Sequence, residues 1–314
     1  MTDKIEFFLD TEVPLKKNNL PYFQGSEKYW VISSGKEKDL YDYFYKNRIV
    51  GLAWDKIKVN DIKGKNLKEI NKIVENKYLN LKSNYEKESS FSRAITIFSK
   101  EVNYFVNEIK LGDIVIVKDR SRNNLIFGKV VSEVFENKEF EINLKIDDDR
   151  GMCNKFLNLE WLNIREKDEV SELIKNTIYG QQAILNITDE RTIADINKTI
   201  FSLFYRDNYI HAIFNIKKDT NIEFEKYYQF LNLIHEFRND KKIKNDFYIK
   251  SNVSSPGPIE IFGNAIEITN LLISLGIITT VGVATAYLKN KYLPVKKELD
   301  IINPGVDDGF DRGN

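Results

Sequence analysis

A chain of 314 residues is too long for one small domain and suits two. Hydrophobic residues at 42% and charged residues at 30% allow packed cores and exclude a disordered chain. Basic and acidic residues balance at 47 each, so no bulk charge draws the chain to nucleic acid, and any binding charge must be local.

Cys153 is the single cysteine, which rules out an internal disulfide and fits a reducing compartment. The N-terminal MTDKIEFFLDTEVPLKK lacks the long apolar core of a signal peptide, so a cytoplasmic location is expected. Sequons at Asn186, Asn197 and Asn252 then read as chance matches.

Residues 1–25 read as a polar lead-in closed by Pro21 and Gly25. YWVIS (29–33) is an apolar run of strand type. KDLYDYFYKNRI (38–49) sets Leu40, Tyr43 and Phe44 on one helical stripe. VGLAW (50–54) is strand-like. Residues 56–88 hold nine lysines against five acids and read as polar helix and loop. In 91–109, Ile95, Phe98, Val102, Phe105 and Ile109 recur at helical spacing. LGDIVIV (111–117), the turn KDRSRNN (118–124) and LIFGKVVSEVF (125–135) form a hairpin signature. FEINLKI (140–146) and FLNLEWLNI (156–164) are further strand candidates.

The second half alternates. ELIKNTIY is a predicted helix and QAILNIT a strand. TIADINKTIFSLFY (192–205) is a predicted helix, capped by Thr188 or Asp189. YIHAIFNI (209–216) is a strand, and 222–237 a helix with Phe224, Tyr228, Leu231 and Ile234 on its inner face. DFYIKSNV (246–253) is a strand, and SSPGPIEIFG breaks the chain. This rhythm predicts an α/β domain over 166–297, followed by an acidic tail over 298–314. From Ile268 to Leu288 no residue is charged. That length allows a membrane span or a long apolar C-terminal helix buried in the domain. Asn270, Ser274 and Gly276 within it favour burial.

Four landmarks in the first half occur in a telling order: KYWVISSG (28–35), RIVGLAWD (48–55), KLGDIVIV with IFGKVV after it (110–117, 126–131), and LEWLNI (159–164). With the helical insertion between the second and third, residues 26–165 resemble the EVE branch of the PUA-like superfamily, as found in restriction- and defence-associated proteins. The expected fold class is α+β: a small PUA-like β-barrel with a helical insertion, then the α/β domain. The resemblance implies a module that holds a nucleobase, often modified, in an aromatic pocket on DNA or RNA. A nuclease or other effector would act as its partner.

A base needs a flat apolar face and a few polar groups at its edge. By the resemblance, Trp54 is the stacking wall. Asp55 would accept from an exocyclic amine, and Ser33, Ser34 and Gly35 would read the base edge. Trp30 is a further wall candidate, and Arg93 would meet a phosphate. Each has a plainer reading: Trp30 and Trp161 as core packing, Ser33–Gly35 as a strand-ending turn, Asp55 as a helix cap. Lys118, Arg120 and Arg122 fall together at a hairpin turn and offer a backbone-facing patch, or else a solvated loop. No phosphate loop or metal-ligand spacing occurs, and His211 and His235 stand apart from cysteine and carboxylate clusters. No cofactor or metal is therefore expected, and nothing points to catalysis. The alternative function is a membrane-associated effector acting through 268–288.

Overall fold

The computed structural model describes residues 7–8, 25–34, 38–119, 123–137, 153–180, 182–206, 209–216, 224–240, 247–251 and 259–275. It divides into two compact units, one of residues 27–200 and one combining 1–26 with 201–314. The first thus extends past the boundary expected at 165, and the lead-in supplies a short strand, β1 (Phe7–Phe8), to the second.

The first unit runs β2 (Tyr29–Ser33), α1 (Lys38–Asn47), β3 (Ile49–Leu52), α2 (Val59–Ile62), α3 (Leu67–Lys77) and α4 (Glu88–Asn103). It continues through β4 (Ile114–Lys118), β5 (Asn124–Val130), β6 (Phe135–Glu136), β7 (Lys155–Glu166), α5 (Glu172–Ile178), β8 (Ile184–Ile187) and α6 (Glu190–Ile200). The strands form one mixed, curled half-barrel sheet in the order β3-β7-β5-β4-β2-β8, with β6 also on β7. β2 and β4 are parallel, and the other pairs are antiparallel.

The long β7 makes the curl possible. Its first residues pair with β3 and β6, its remainder with β5. A bulge at Phe127/Gly128 bends the β5–β7 ladder, as one extra residue in a strand does. QAILNIT belongs here rather than to a second domain, because β8 completes the hydrogen bonding of β2's other edge.

The insertion between β3 and β4 packs Ile62, Ile70, Val74, Phe91, Ile95 and Val102 against the sheet's Trp30, Val115 and Phe156 in one core. Local chemistry fixes its helix starts. Asn66 accepts from the backbone of Lys68 and Glu69, while Glu69 accepts from the Asn66 backbone, a reciprocal cap for α3. Of the two caps expected for α6, Asp189 serves, accepting from Thr192 N and Oγ1.

The sequence 192–205 is a helix only as far as Ile200, where the first unit ends. In the second unit residues 203–206 form β9 (Leu203–Arg206), paired with β10 (Tyr209–Ile216). β11 (Phe247–Ser251) and β12 (Ile259–Gly263) complete an antiparallel sheet ordered β1-β10-β12-β11. The unit is therefore α+β rather than a parallel α/β layer. The supposed chain break contains β12, an interior strand between β10 and β11. α7 (Phe224–Asp240) and α8 (Ala265–Ser274) cover one face of the sheet. The inner face of α7 is Phe230, Ile234 and Phe237, whereas the expected Tyr228 is 54% exposed.

The apolar stretch is helical from its start at 268 to Ser274, with Ile268, Leu271 and Leu272 buried in the core. Residues 276–288 and the acidic tail lie outside the described residues. No helix among the described residues is long and apolar enough to cross a membrane.

Candidate functional site

The three expected tryptophans take three different environments. Trp30 is fully buried on β2, and its Nε1 donates to Asp113 Oδ2 at 2.9 Å. Asp113 also accepts from the backbone of Lys28 and Lys110 at 3.0 Å each. This carboxylate ties the start of β2 to the turn before β4, and Trp30 is a core residue.

Trp54 is also fully buried, so it is not a stacking wall open at a rim. It follows β3 with a φ of 73°, the left-handed region, where a bulky side chain costs about 1–2 kcal/mol. Its surroundings hold it there. The ring meets Phe98 at 4.0 Å and Tyr78 edge-on at 5.1 Å, and Nε1 donates to the buried Glu101 at 3.3 Å. Its carbonyl accepts from Ile57 N at 2.9 Å and from Lys155 Nζ at 2.8 Å.

Lys155 is a residue that its sequence context did not single out. It is fully buried, and Nζ also donates to Ile57 O at 2.9 Å and Asn154 Oδ1 at 2.5 Å. Burial pushes its amine down to about 7, opposed by the nearby Cys153, Glu136 and Asp55. Sequence did hold a signal: Lys155 shares strand parity with Leu157 and Leu159, which face the core. Asp55 is half-buried and belongs to this corner. It accepts from Tyr78 Oη at 3.3 Å through Oδ1 and from Asn154 Nδ2 at 2.8 Å through its carbonyl. Burial raises the Tyr78 phenol well above its ordinary value. The corner is closed and internally bonded.

The polar candidates do not join it. Ser34 is buried, its Oγ donating to Asp119 Oδ2 at 3.0 Å, and Ser33 N bonds Ala183 O at 2.8 Å. They end β2, which three strands separate from β3 in the sheet order. Lys118 is buried too, its Nζ donating to the carbonyls of Ile178, at 2.6 Å, and Gly180, at 2.5 Å. Those carbonyls cap the end of α5, where a cation is favoured, so Lys118 is a structural lysine and not a phosphate ligand. Arg93 is exposed on α4. Gly35, Arg120 and Arg122 lie outside the described residues.

A partly exposed aromatic pair of this unit lies elsewhere. Trp161, on β7, is half-buried, and its Nε1 donates to Tyr45 O at 2.9 Å. Its ring stacks on that of Tyr45, with centroids 6.2 Å apart and planes at 25°. Tyr45, on α1, is 42% exposed. Trp161 also lies against Gly128 at the bulge, where a Cβ would come within 2.8 Å of the ring. Two exposed cations lie next to Tyr45 along the chain. Lys46 follows Tyr45, and Arg48 sits in the turn to β3.

Gly128→Ala is expected to displace Trp161 and lower stability by about 1–3 kcal/mol, the usual cost of overpacking. The shift in tryptophan emission toward that of a solvated ring, with a lowered urea midpoint, would report it. Unchanged emission and midpoint would show that the ring has room to give.

Curled sheet, inserted helices and a partly exposed aromatic pair next to two cations define a mixed α+β domain with one continuous core. Residues 30–188 match the family described as Domain of unknown function (DUF8426), and since they make up half of the chain, the chain belongs to that family. No curated protein matches the chain.

Proposed function

We propose that the unit spanning 27–200 is a nucleic-acid-binding module of PUA-like, EVE type that holds a base against Tyr45 and Trp161. The observation that carries this reading is the Tyr45–Trp161 pair, an aromatic stack whose Tyr45 ring is 42% exposed, with the exposed Lys46 and Arg48 next to it in the chain. Aromatic rings with nearby cations are what a base and its phosphate require. The strand order supports it further. A curled sheet with a helical insertion between β3 and β4 is what the resemblance implies for the barrel. On this reading the pocket lies at the exposed Tyr45 ring beside Trp161 rather than at the closed Trp54 corner. The ligand implied by the resemblance is a modified base in DNA or RNA, in a restriction or phage-defence setting with an effector or nuclease partner.

The test is binding of the full chain to plain and base-modified oligonucleotides, by fluorescence anisotropy. Tyr45→Ala is expected to weaken binding at least about tenfold, since stacking contributes roughly 1–3 kcal/mol per base. Neutralising Lys46 and Arg48 together should flatten the salt dependence by about 0.7–0.9 in log–log slope for each phosphate that these cations engage. A folded Tyr45→Ala protein with wild-type affinity removes this surface from the function.

A further inference from the structure

The second unit carries a different aromatic arrangement. Phe204 on β9, His211 on β10, Phe262 on β12 and Tyr248 on β11 are direct cross-strand partners. Their rings stand in one row on a single face of the sheet. Centroids are 4.8 Å from Phe204 to His211, 5.2 Å to Phe262 and 5.0 Å to Tyr248, with interplanar angles of 0°, 5° and 24°. The spacing is that of neighbouring strands, roughly 4.7–4.9 Å, so the ladder itself sets the stack. Tyr209 meets both Phe262 and Tyr248 edge-on.

The opposite face of the same strands supplies Ile210, Ala212, Phe214, Ile259 and Ile261 to the core under α7 and α8. The ring row is therefore not needed to build that core. His211 is locked in plane, its Nδ1 donating to the buried Glu260 Oε1 at 2.7 Å. At the β11 end the row reaches solvent. Tyr248 is 43% exposed, and the exposed Lys250 holds its ammonium 4.7 Å from the Phe262 ring centroid.

We infer that this row is a second stacking site, which takes an unpaired base of a single-stranded nucleic acid at Tyr248, with Lys250 meeting its phosphate. A base extends a run of parallel rings with its own π-face and needs no particular sequence. The lysine supplies the charge that an unpaired strand seeks, and the His211–Glu260 bond keeps the interior carboxylate engaged within the row. A planar ring with an adjacent cation, both exposed on one strand, fits a nucleotide better than an apolar peptide.

The full chain would be titrated with a fluorescent single-stranded oligonucleotide of about 20 nucleotides, more than the ~4–16 that one small module covers. Tyr248→Ala is expected to weaken binding about tenfold and Tyr248→Phe to restore it, as a stacking role requires. Lys250→Ala should lower the salt slope by about 0.7, the value for one phosphate on a single strand. Tyr248 is exposed, and circular dichroism confirms that each variant is folded. Wild-type affinity in Tyr248→Ala, or no rescue by Tyr248→Phe, overturns the inference. Loss in Tyr248→Ala with none in Tyr45→Ala keeps this site and removes the one on the first unit. The reverse pattern does the opposite, and a wild-type chain that binds no single strand overturns this site.

Discussion

Trp54→Ala is expected to destabilise the first unit by about 3–5 kcal/mol, the range for removing a large aromatic from a core. The side chain is fully buried between Phe98 and Tyr78, and the space it leaves is lined by rings that cannot close over it without leaving their rotamers. Glu101 would also lose a donor in a buried position. Alanine keeps the left-handed backbone penalty while giving up the packing that offsets it. Glycine at the same position removes the penalty, so Trp54→Gly should be the less damaging variant by about 1 kcal/mol. Urea unfolding followed by circular dichroism measures both. A Trp54→Ala protein as stable as the wild type, but defective in binding nucleic acid, would restore Trp54 as a stacking wall.

The second large effect depends on pH and on Lys155. Three acceptors around Nζ match the three N–H bonds of an ammonium, while full burial opposes its charge. The folded amine titrates near 7, below its unfolded value near 10.4. Between those values the unfolded chain binds a proton that the folded chain does not. Stability therefore rises with pH through this window, by at most about 1.4 kcal/mol per unit, and the gain is lost as pH falls toward 7. The raised Tyr78 phenol acts in the opposite sense only above its ordinary range, which begins near 10, so it leaves roughly pH 7–9.5 undisturbed. Lys155→Met should flatten that slope. It should also cost about 1–3 kcal/mol at the top of the window, because the Ile57 carbonyl loses this buried donor. Urea midpoints across the window decide it. Equal slopes in wild type and Lys155→Met would show that the lysine stays charged in the fold.

The strands observed at 29–33, 114–118 and 124–130 were legible because apolar runs bounded by turn residues have few alternatives. So was α4, where helical spacing repeats over several turns. The pairings were not legible. β8 joins β2 across some 150 residues, and nothing in QAILNIT names its partner. β12 was hidden by the prolines just before it, which mark a turn but do not prevent a five-residue strand from following. Trp54 shows the limit for a site. An aromatic at a strand end suits a rim or a core equally, and only the backbone angle and the neighbours from α3 and α4 separate the two. Lys118 shows the limit for charge. A lysine beside two arginines reads as surface until the end of α5, distant in sequence, arrives to accept its protons. Trp161 was not legible as a partner of Tyr45, because only the pairing of β7 with β3 and β5 brings α1 and Trp161 together.

The parallel β2–β4 pair has a consequence for synthesis. β2 leaves the ribosome first among the strands of its sheet, yet its two neighbours are β4 and β8, both later in the chain. At roughly 5–20 residues per second, some 4–16 s pass before β4 emerges and about 8–30 s before β8 does. For that time YWVIS, four of whose five residues are buried in the finished sheet, is an apolar strand with both edges unmet. A nascent chain in that condition invites binding by chaperones or pairing with a neighbour on the same message. Slower translation between codons 33 and 187 would lengthen that exposure, so the yield of folded protein should depend on elongation rate over this stretch.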